Sequence, residues 1–133
     1  MSRIPSLFSL RPLLVLDAVT CAVMGALLML GSGALADLTL LPAALLTEAG
    51  IVLLAVAAFI LFVATRRVMP ALGVIAIIAG NAFWVVGSLA VLLAVTPNAL
   101  GTGFVLVQAF AVAALATLEL TAWRAAAPSP RMG

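Results

Sequence analysis

The stretch "LLVLDAVTCAVMGALLML", residues 13–30, is an apolar run interrupted by one carboxylate, Asp17. An apolar stretch of roughly 18 residues or more predicts a helix that crosses a membrane. Hydrocarbon offers no water to backbone N–H and C=O groups, and a helix pairs these groups within itself. A carboxylate is costly inside a membrane, so Asp17 requires a partner, a position near the membrane surface, or a function.

The composition extends this pattern to the whole chain. Of its 133 residues, 67% are hydrophobic and 8% are charged, and the mean hydropathy is +1.42. A soluble domain is about half apolar and about a quarter charged. A soluble fold of this size could not bury so much apolar surface, so the composition predicts that lipid surrounds most of the chain.

Prolines, glycines and arginines divide the chain into four apolar segments. At 1.5 Å per residue, each segment is long enough to cross a hydrocarbon core of about 30 Å. We therefore predict an all-α fold, a four-transmembrane-helix bundle running up-down-up-down, in a single membrane domain, 1–133. The linker "ADLTLL", residues 36–41, is expected at the membrane interface. The predicted helices are 13–35, 42–65, 71–95 and 101–123, followed by a tail, 124–133.

The basic residues are all arginines, and their placement predicts the orientation. They precede the first span, join the second to the third, or follow the fourth, so with four spans all of them lie on one side. Arginine-rich loops stay in the cytoplasm, and both termini are therefore predicted to be cytoplasmic. The six positions are Arg3, Arg11, Arg66, Arg67, Arg124 and Arg131.

An alternative for the first span is a cleaved signal peptide. Residues 34–36 read Ala-Leu-Ala after an apolar run with an arginine-bearing leader, and small residues in this pattern are typical of a cleavage site. The run exceeds the usual apolar core of about 7–15 residues and carries Asp17, which favours a retained helix.

Five polar side chains lie within the predicted spans and form a candidate intramembrane polar network. Counted from the helix ends, Glu48 and Gln108 lie towards the outer side. Asn81 lies near the middle of the membrane, and Asp17 and Glu119 lie near the cytoplasmic ends of their helices. Gln108 and Glu119 are eleven residues apart and so share one face of the fourth helix. The five residues are Asp17, Glu48, Asn81, Gln108 and Glu119.

Glycines accompany this network on the third span. Gly73, Gly80 and Gly87 recur every seven residues. Small residues at such spacing let a neighbouring helix approach closely in a membrane. We therefore expect these glycines to serve helix packing, beside a face that carries Asn81 and Trp84.

Two interpretations of the polar network stay open. In one, the amides and hydroxyls bond across helices and the acids pair with nearby arginines (Arg11, Arg66, Arg67 or Arg124). In the other, the residues form a path for protons, an ion or a polar ligand, because ionisable groups inside a membrane are often functional. The ion-pair interpretation is favoured for Asp17 and Glu119, since both lie near the cytoplasmic ends of their helices.

The residue types argue against an enzyme. The chain has no His and no Lys, and its single thiol, Cys21, is interpreted as a small buried hydrophobic residue. We predict no catalytic residue, no metal site and no cofactor. Nucleic acid is rejected as a partner, because no basic cluster exists beyond Arg66-Arg67. The expected partners are the lipid bilayer and a second copy of the chain or another membrane protein.

Two stretches, "RPLLVLDAVTCAVMG" and "AGNAFWVVGSL", resemble a group of small bacterial four-helix integral membrane proteins that mostly lack an assigned activity. The shared features are an Arg…Leu-Asp-Ala…Gly opening helix and an Asn-x-x-Trp-Val in the third helix. The resemblance implies a multi-pass protein of the bacterial inner membrane and carries over no catalytic residue.

The sequence is compatible with three functions. The favoured one is a structural or accessory membrane protein that associates with itself or a larger complex through its glycine faces. The alternative is a small transporter or channel. The small multidrug resistance family is comparable in length and in its acid on the first helix, but here the acid lies closer to the cytoplasmic end and the arginine bias is stronger. A membrane enzyme is the least favoured.

Overall fold

The structure is a computed structural model that describes residues 9–126, and within this range the chain forms helices and no strand. Four of the helices are long and apolar enough to cross a membrane, which confirms the predicted all-α class with four candidate spans. Residues 1–8 and 127–133, including most of the predicted tail, lie outside the described residues. The helices are α1 (Leu10–Leu30), α2 (Ser32–Thr39), α3 (Ala43–Ala64), α4 (Ala71–Ala94) and α5 (Ala99–Ala126).

The first span differs from its predicted range. It begins at Leu10 rather than residue 13 and ends at Leu30 rather than residue 35. The chain bends at Gly31, whose N–H bonds to the carbonyl of Leu27, and a separate eight-residue helix, α2, follows. Most of the linker that we expected at the interface is therefore helical. α5 is also longer than predicted, since it continues to Ala126.

The outer surfaces of the long helices are apolar. Leu30 and Leu72 are each 82% exposed, Phe83 is 80% exposed and Leu93 is 90% exposed. Contact between such a surface and water is unfavourable, whereas lipid tails are as apolar as these side chains. The length, apolarity and exposed faces of the helices together fit a small multi-pass membrane protein.

Backbone packing arranges the long helices in a ring with the order α1, α3, α4, α5. α1 packs closely against α3, and α4 against α5, while the backbones of α1 and α4 do not meet. The two backbones of the α1–α3 pair approach each other closely at Gly25 and Gly50. A Cβ atom on Gly50 would lie 2.7 Å from the carbonyl oxygen of Gly25 and 2.8 Å from the backbone nitrogen of Met29. The absence of side chains there lets the two backbones touch.

At one end of the ring, Arg11 of α1 binds the end of α3. Its Nη1 donates to the carbonyl of Ala64 and, at 2.9 Å, to that of Arg66, and its Nη2 lies 3.4 Å from the carbonyl of Arg67. The last carbonyls of a helix lack partners within the helix, and a guanidinium group there satisfies them and opposes the negative end of the helix dipole. We call this end of the bundle the arginine end.

At the opposite end, Asn98 joins α5 to α2. Its Oδ1 accepts a hydrogen bond of 2.8 Å from the N–H of Gly101, which caps the start of α5. Its Nδ2 donates to the carbonyl of Leu38 at 2.8 Å, and its backbone N–H donates to the carbonyl of Thr39 at 3.1 Å. The connection that contains Asn98, between the end of α4 at Ala94 and the start of α5 at Ala99, is short.

Candidate functional site

A buried group of polar side chains from three helices lies inside the bundle. The single nitrogen Nδ2 of Asn81 on α4 donates to Oδ2 of Asp17 on α1 at 2.8 Å and to Oε1 of Glu119 on α5 at 2.9 Å. Sγ of Cys21 lies 3.5 Å from Oδ1 of Asp17. We call these four residues, Asp17, Cys21, Asn81 and Glu119, the acid cluster.

The acid cluster is shielded from its surroundings. Asp17 is 2% exposed, Asn81 6% and Glu119 0%. Within residues 9–126, Oε2 of Glu119 is a buried oxygen without a hydrogen-bond partner. An unpartnered buried polar atom is uncommon in native proteins, because it has lost the hydrogen bonds that water would provide.

The arginine partners that we expected for the two acids are not found in the described part of the chain. Arg11, the arginine on the same helix as Asp17, donates instead to carbonyls at the end of α3. Arg66 lies over the ring of Phe62, with 4.4 Å between its Cζ and the ring centroid. Within residues 9–126, the partners of the two carboxyl groups are neutral donors.

Helix boundaries explain why Asn81 meets both acids. Because α1 begins at Leu10 and α5 ends at Ala126, Asp17 and Glu119 lie about 10 Å from the arginine ends of their helices, deeper than predicted. Asn81 lies about 15 Å from the start of α4. The side chains can bridge the remaining difference in depth between Asn81 and the two acids. The middle and cytoplasmic levels of the predicted network therefore form one buried cluster.

A second polar group lies farther from the arginine end and joins α4 to α5. Nε1 of Trp84 donates to Oε1 of Gln108 at 2.8 Å, and Nε2 of Gln108 lies 2.9 Å from Oγ of Ser88. The hydroxyl of Ser88 donates in turn to the carbonyl of Trp84 at 2.8 Å. The three side chains orient one another, and we call them the Gln108 group.

A cavity of about 340 Å³ lies beside the Gln108 group. Its walls come from all four long helices and are mostly apolar, with Met24, Leu28 and Phe104 among them. Its lining also includes Phe83, which is 80% exposed, so the cavity opens on the outer surface of the bundle. Glu48, itself exposed, is the charged residue in the lining.

The structure therefore divides the predicted polar network in two. Asp17, Asn81 and Glu119 form the acid cluster, whereas Gln108 bonds to Trp84 and Ser88. Glu48 belongs to neither group and lines the cavity. The acid cluster and the cavity are nevertheless adjacent. Cys21 and Asn81 of the acid cluster precede Met24 and Trp84 of the cavity wall by three residues each, which is about one helical turn.

The glycines predicted to serve helix packing have different surroundings. A Cβ atom on Gly73 would lie 2.8 Å from Cγ2 of Val63, so Gly73 does permit close packing. Apart from the chain neighbours and the backbone of the same helix, no described atom lies within 4 Å of the Cβ position of Gly80 or Gly87. Gly87 instead lines the cavity, and Gly80 is exposed. The close backbone approach at Gly50 is not among the predicted packing contacts, although a lone glycine within a long apolar run is a signal for it.

The chemistry available at these sites is proton binding, hydrogen bonding and apolar contact. No group of three or more His, Cys, Asp or Glu residues in the described range could hold a metal ion.

Comparisons of the chain with protein-family models, with curated proteins and with solved structures gave no match.

Proposed function

We propose that the protein is a small membrane transporter that binds a lipophilic cation in the cavity beside the Gln108 group. The observation that carries this proposal is a cavity of about 340 Å³ with apolar walls, a few oriented polar groups and one carboxylate. Binding sites for small molecules are typically about 300–1,000 Å³, mostly apolar, with few convergent polar side chains. A cavity that opens towards lipid admits a ligand that is dissolved in the membrane.

The lining residues favour a cation over a neutral or anionic ligand. Glu48 has no ion-pair partner within residues 9–126, so its charge is available to a ligand. Trp84, Phe83 and Phe104 supply aromatic rings, and the face of such a ring attracts a cation. An anion would meet the carboxylate, and none of the described lining residues is basic.

Binding of radiolabelled tetraphenylphosphonium to the purified full chain in detergent tests this proposal. We expect saturable binding to the wild type and at least about tenfold weaker binding to Glu48→Gln, because a charge interaction of about 1.4 kcal/mol corresponds to that factor. The Gly87→Leu variant should also bind weakly, because its side chain enters the cavity. Asp37→Asn removes the same charge from α2, outside the lining residues, and should bind as the wild type does.

Transport follows as a second readout in vesicles that contain the purified protein. The wild type should speed the movement of the cation down an imposed concentration gradient across the vesicle membrane, and Gly87→Leu should not. If the wild type fails to bind, or if Glu48→Gln and Gly87→Leu both bind like the wild type, the proposal is wrong.

A second candidate function is an accessory protein that associates with another copy of itself. Gly80 favours it, because no described atom approaches its Cβ position and its neighbour Phe83 is 80% exposed on the same helix. A flat site beside a large ring accommodates a helix from a second copy. Crosslinking in native membranes should capture a dimer of the wild type, and Gly80→Leu should abolish it. A wild type that stays monomeric would contradict this function.

We also propose that the bundle runs up-down-up-down in a bacterial inner membrane, with both termini in the cytoplasm. The uneven arginine distribution supports this orientation, and the resemblance to small bacterial four-helix proteins supports the compartment. In a Cys21→Ser background, a membrane-impermeant maleimide added to intact cells should label Leu38→Cys and spare Val68→Cys. Both positions are exposed, at 58% and 82%. The reverse labelling pattern would overturn the orientation.

A further inference from the structure

We propose that the acid cluster is a proton-binding site, in which the carboxyl groups of Asp17 and Glu119 hold one proton between them. The inference goes beyond ligand binding in the cavity and does not depend on it. It rests on the positions of four carboxyl oxygens, on their donors and on their burial. The proton adds to a carboxylate oxygen, so no covalent bond breaks and no other reactant is required.

One amide nitrogen serves both acids. Because Nδ2 of Asn81 lies 2.8 Å from Asp17 and 2.9 Å from Glu119, their two acceptor oxygens are no more than about 6 Å apart. If both acids were ionised, two like charges would lie this close in a buried site. Like charges at such a separation disfavour each other strongly when water is excluded.

An inventory of donors leads to the same conclusion. Asp17 accepts from the amide of Asn81 and the thiol of Cys21, so each of its oxygens has a donor. Glu119 accepts from Asn81 through Oε1, but its Oε2 has none in the described range. A proton on Oε2 turns this unpartnered acceptor into a donor, and the neighbouring carboxylate of Asp17 can accept it. One proton thus satisfies the remaining oxygen and removes one of the two charges.

Among the described residues, the partners of the acid cluster include no cation that would replace the proton. The ionisable groups of the cluster are Asp17 and Cys21 from α1 and Glu119 from α5, and α4 contributes the neutral Asn81. α3 carries one ionisable residue, Glu48, which lines the cavity rather than the cluster. Within residues 9–126, no arginine pairs with either acid of the cluster.

Infrared spectroscopy of the purified full chain in lipid nanodiscs tests the inference. A protonated carboxyl group has a C=O stretching band separate from that of a carboxylate, and the wild type should show this band at neutral pH. The band should disappear in Glu119→Gln and in Asp17→Asn, because either substitution removes one charge and one titratable oxygen pair. Asp37→Asn is the matched control: Asp37 is exposed on α2, and its loss should leave the band unchanged.

Isotope labelling keeps the test decisive if a variant fails to fold. Wild-type protein with ¹³C-labelled Glu or Asp side-chain carboxyl groups should show a shifted band with at least one of the two labels. The inference is overturned if the folded wild type shows no protonated carboxyl band at neutral pH. It is equally overturned if the band survives unchanged in both Glu119→Gln and Asp17→Asn.

Discussion

Nδ2 of Asn81 lies 2.8 Å from Oδ2 of Asp17, although 64 positions separate the two residues. Their helices, α4 and α1, stand across the ring from each other and do not pack backbone to backbone. The hydrogen bond therefore crosses the centre of the bundle, where two pairs of helices would otherwise meet through apolar contacts. Glu119 extends the same link to α5, so one amide connects three helices.

Removal of this amide should destabilise the bundle. Asn81→Ala leaves two buried carboxyl groups without their shared donor, and we expect a loss of about 1–3 kcal/mol in the free energy of unfolding. Individual hydrogen bonds between membrane helices contribute less, about 0.6 kcal/mol on average, but here one side chain makes two. Reversible unfolding in a mixture of mild detergent and dodecyl sulfate measures the change.

A double-mutant cycle separates this effect from the loss of side-chain volume. In the Glu119→Gln background, the new amide carries its own donor and one charge is gone, so Asn81→Ala should cost less than in the wild type. Coupling of about 0.5 kcal/mol or more between the two positions is expected for residues in contact. Additive effects would show that Asn81 does not stabilise the bundle through the carboxyl group of Glu119.

The backbone contact between α1 and α3 yields a prediction for Gly50. A methyl group there would lie 2.7 Å from the carbonyl oxygen of Gly25, so Gly50→Ala must push the helices apart and should destabilise by about 1–3 kcal/mol. Gly103→Ala on α5 is the control, because no described atom lies within 4 Å of its Cβ position. Both changes gain the same helix propensity, about 1 kcal/mol. Equal stability of the two variants would contradict the contact.

The fold class could be predicted from the sequence because four apolar runs long enough to cross a membrane leave few alternatives. The helix ends were less predictable. Gly31 stops α1 and Ser32 begins a second helix, whereas a hydropathy pattern continues through both residues. A glycine within an apolar run can be a packing contact, as at Gly25, or a helix end, as at Gly31, and only the neighbouring helix decides between them.

The candidate site could be predicted in its membership but not in its contacts. Asp17, Asn81 and Glu119 stood out because polar residues are costly within a span. Depths counted from the predicted helix ends place these residues at different levels of the membrane, because α1 and α5 extend beyond their predicted ends. The sequence predicts ion pairs between the acids and the arginines, because both lie near the cytoplasmic ends of the predicted helices. The carbonyls at the end of α3 compete for Arg11, and sequence spacing carries no information on that competition.

Arg11 yields a prediction for the arginine end. Arg11→Met retains much of the apolar stem but leaves the carbonyls of Ala64 and Arg66 without their guanidinium donor. We expect a loss of about 1–3 kcal/mol in the free energy of unfolding, measured in the same detergent mixture. Arg67→Met removes the same charge from the same end, but no side-chain contact within residues 9–126 is lost. It should change stability by no more than about 0.5 kcal/mol.

Asn98 permits its two side-chain bonds to be separated by experiment. Asn98→Ala removes both the cap of α5 and the bond to the carbonyl of Leu38, and should destabilise by about 1–3 kcal/mol. Asn98→Asp keeps an oxygen for the N–H of Gly101 but loses the donor to Leu38, so it should retain the cap, which contributes about 1 kcal/mol. The ordering expected in unfolding titrations is wild type, then Asp, then Ala. If the Asp variant were as unstable as the Ala variant, the cap would contribute nothing, and the joint between α2 and α5 would depend on the bond to Leu38.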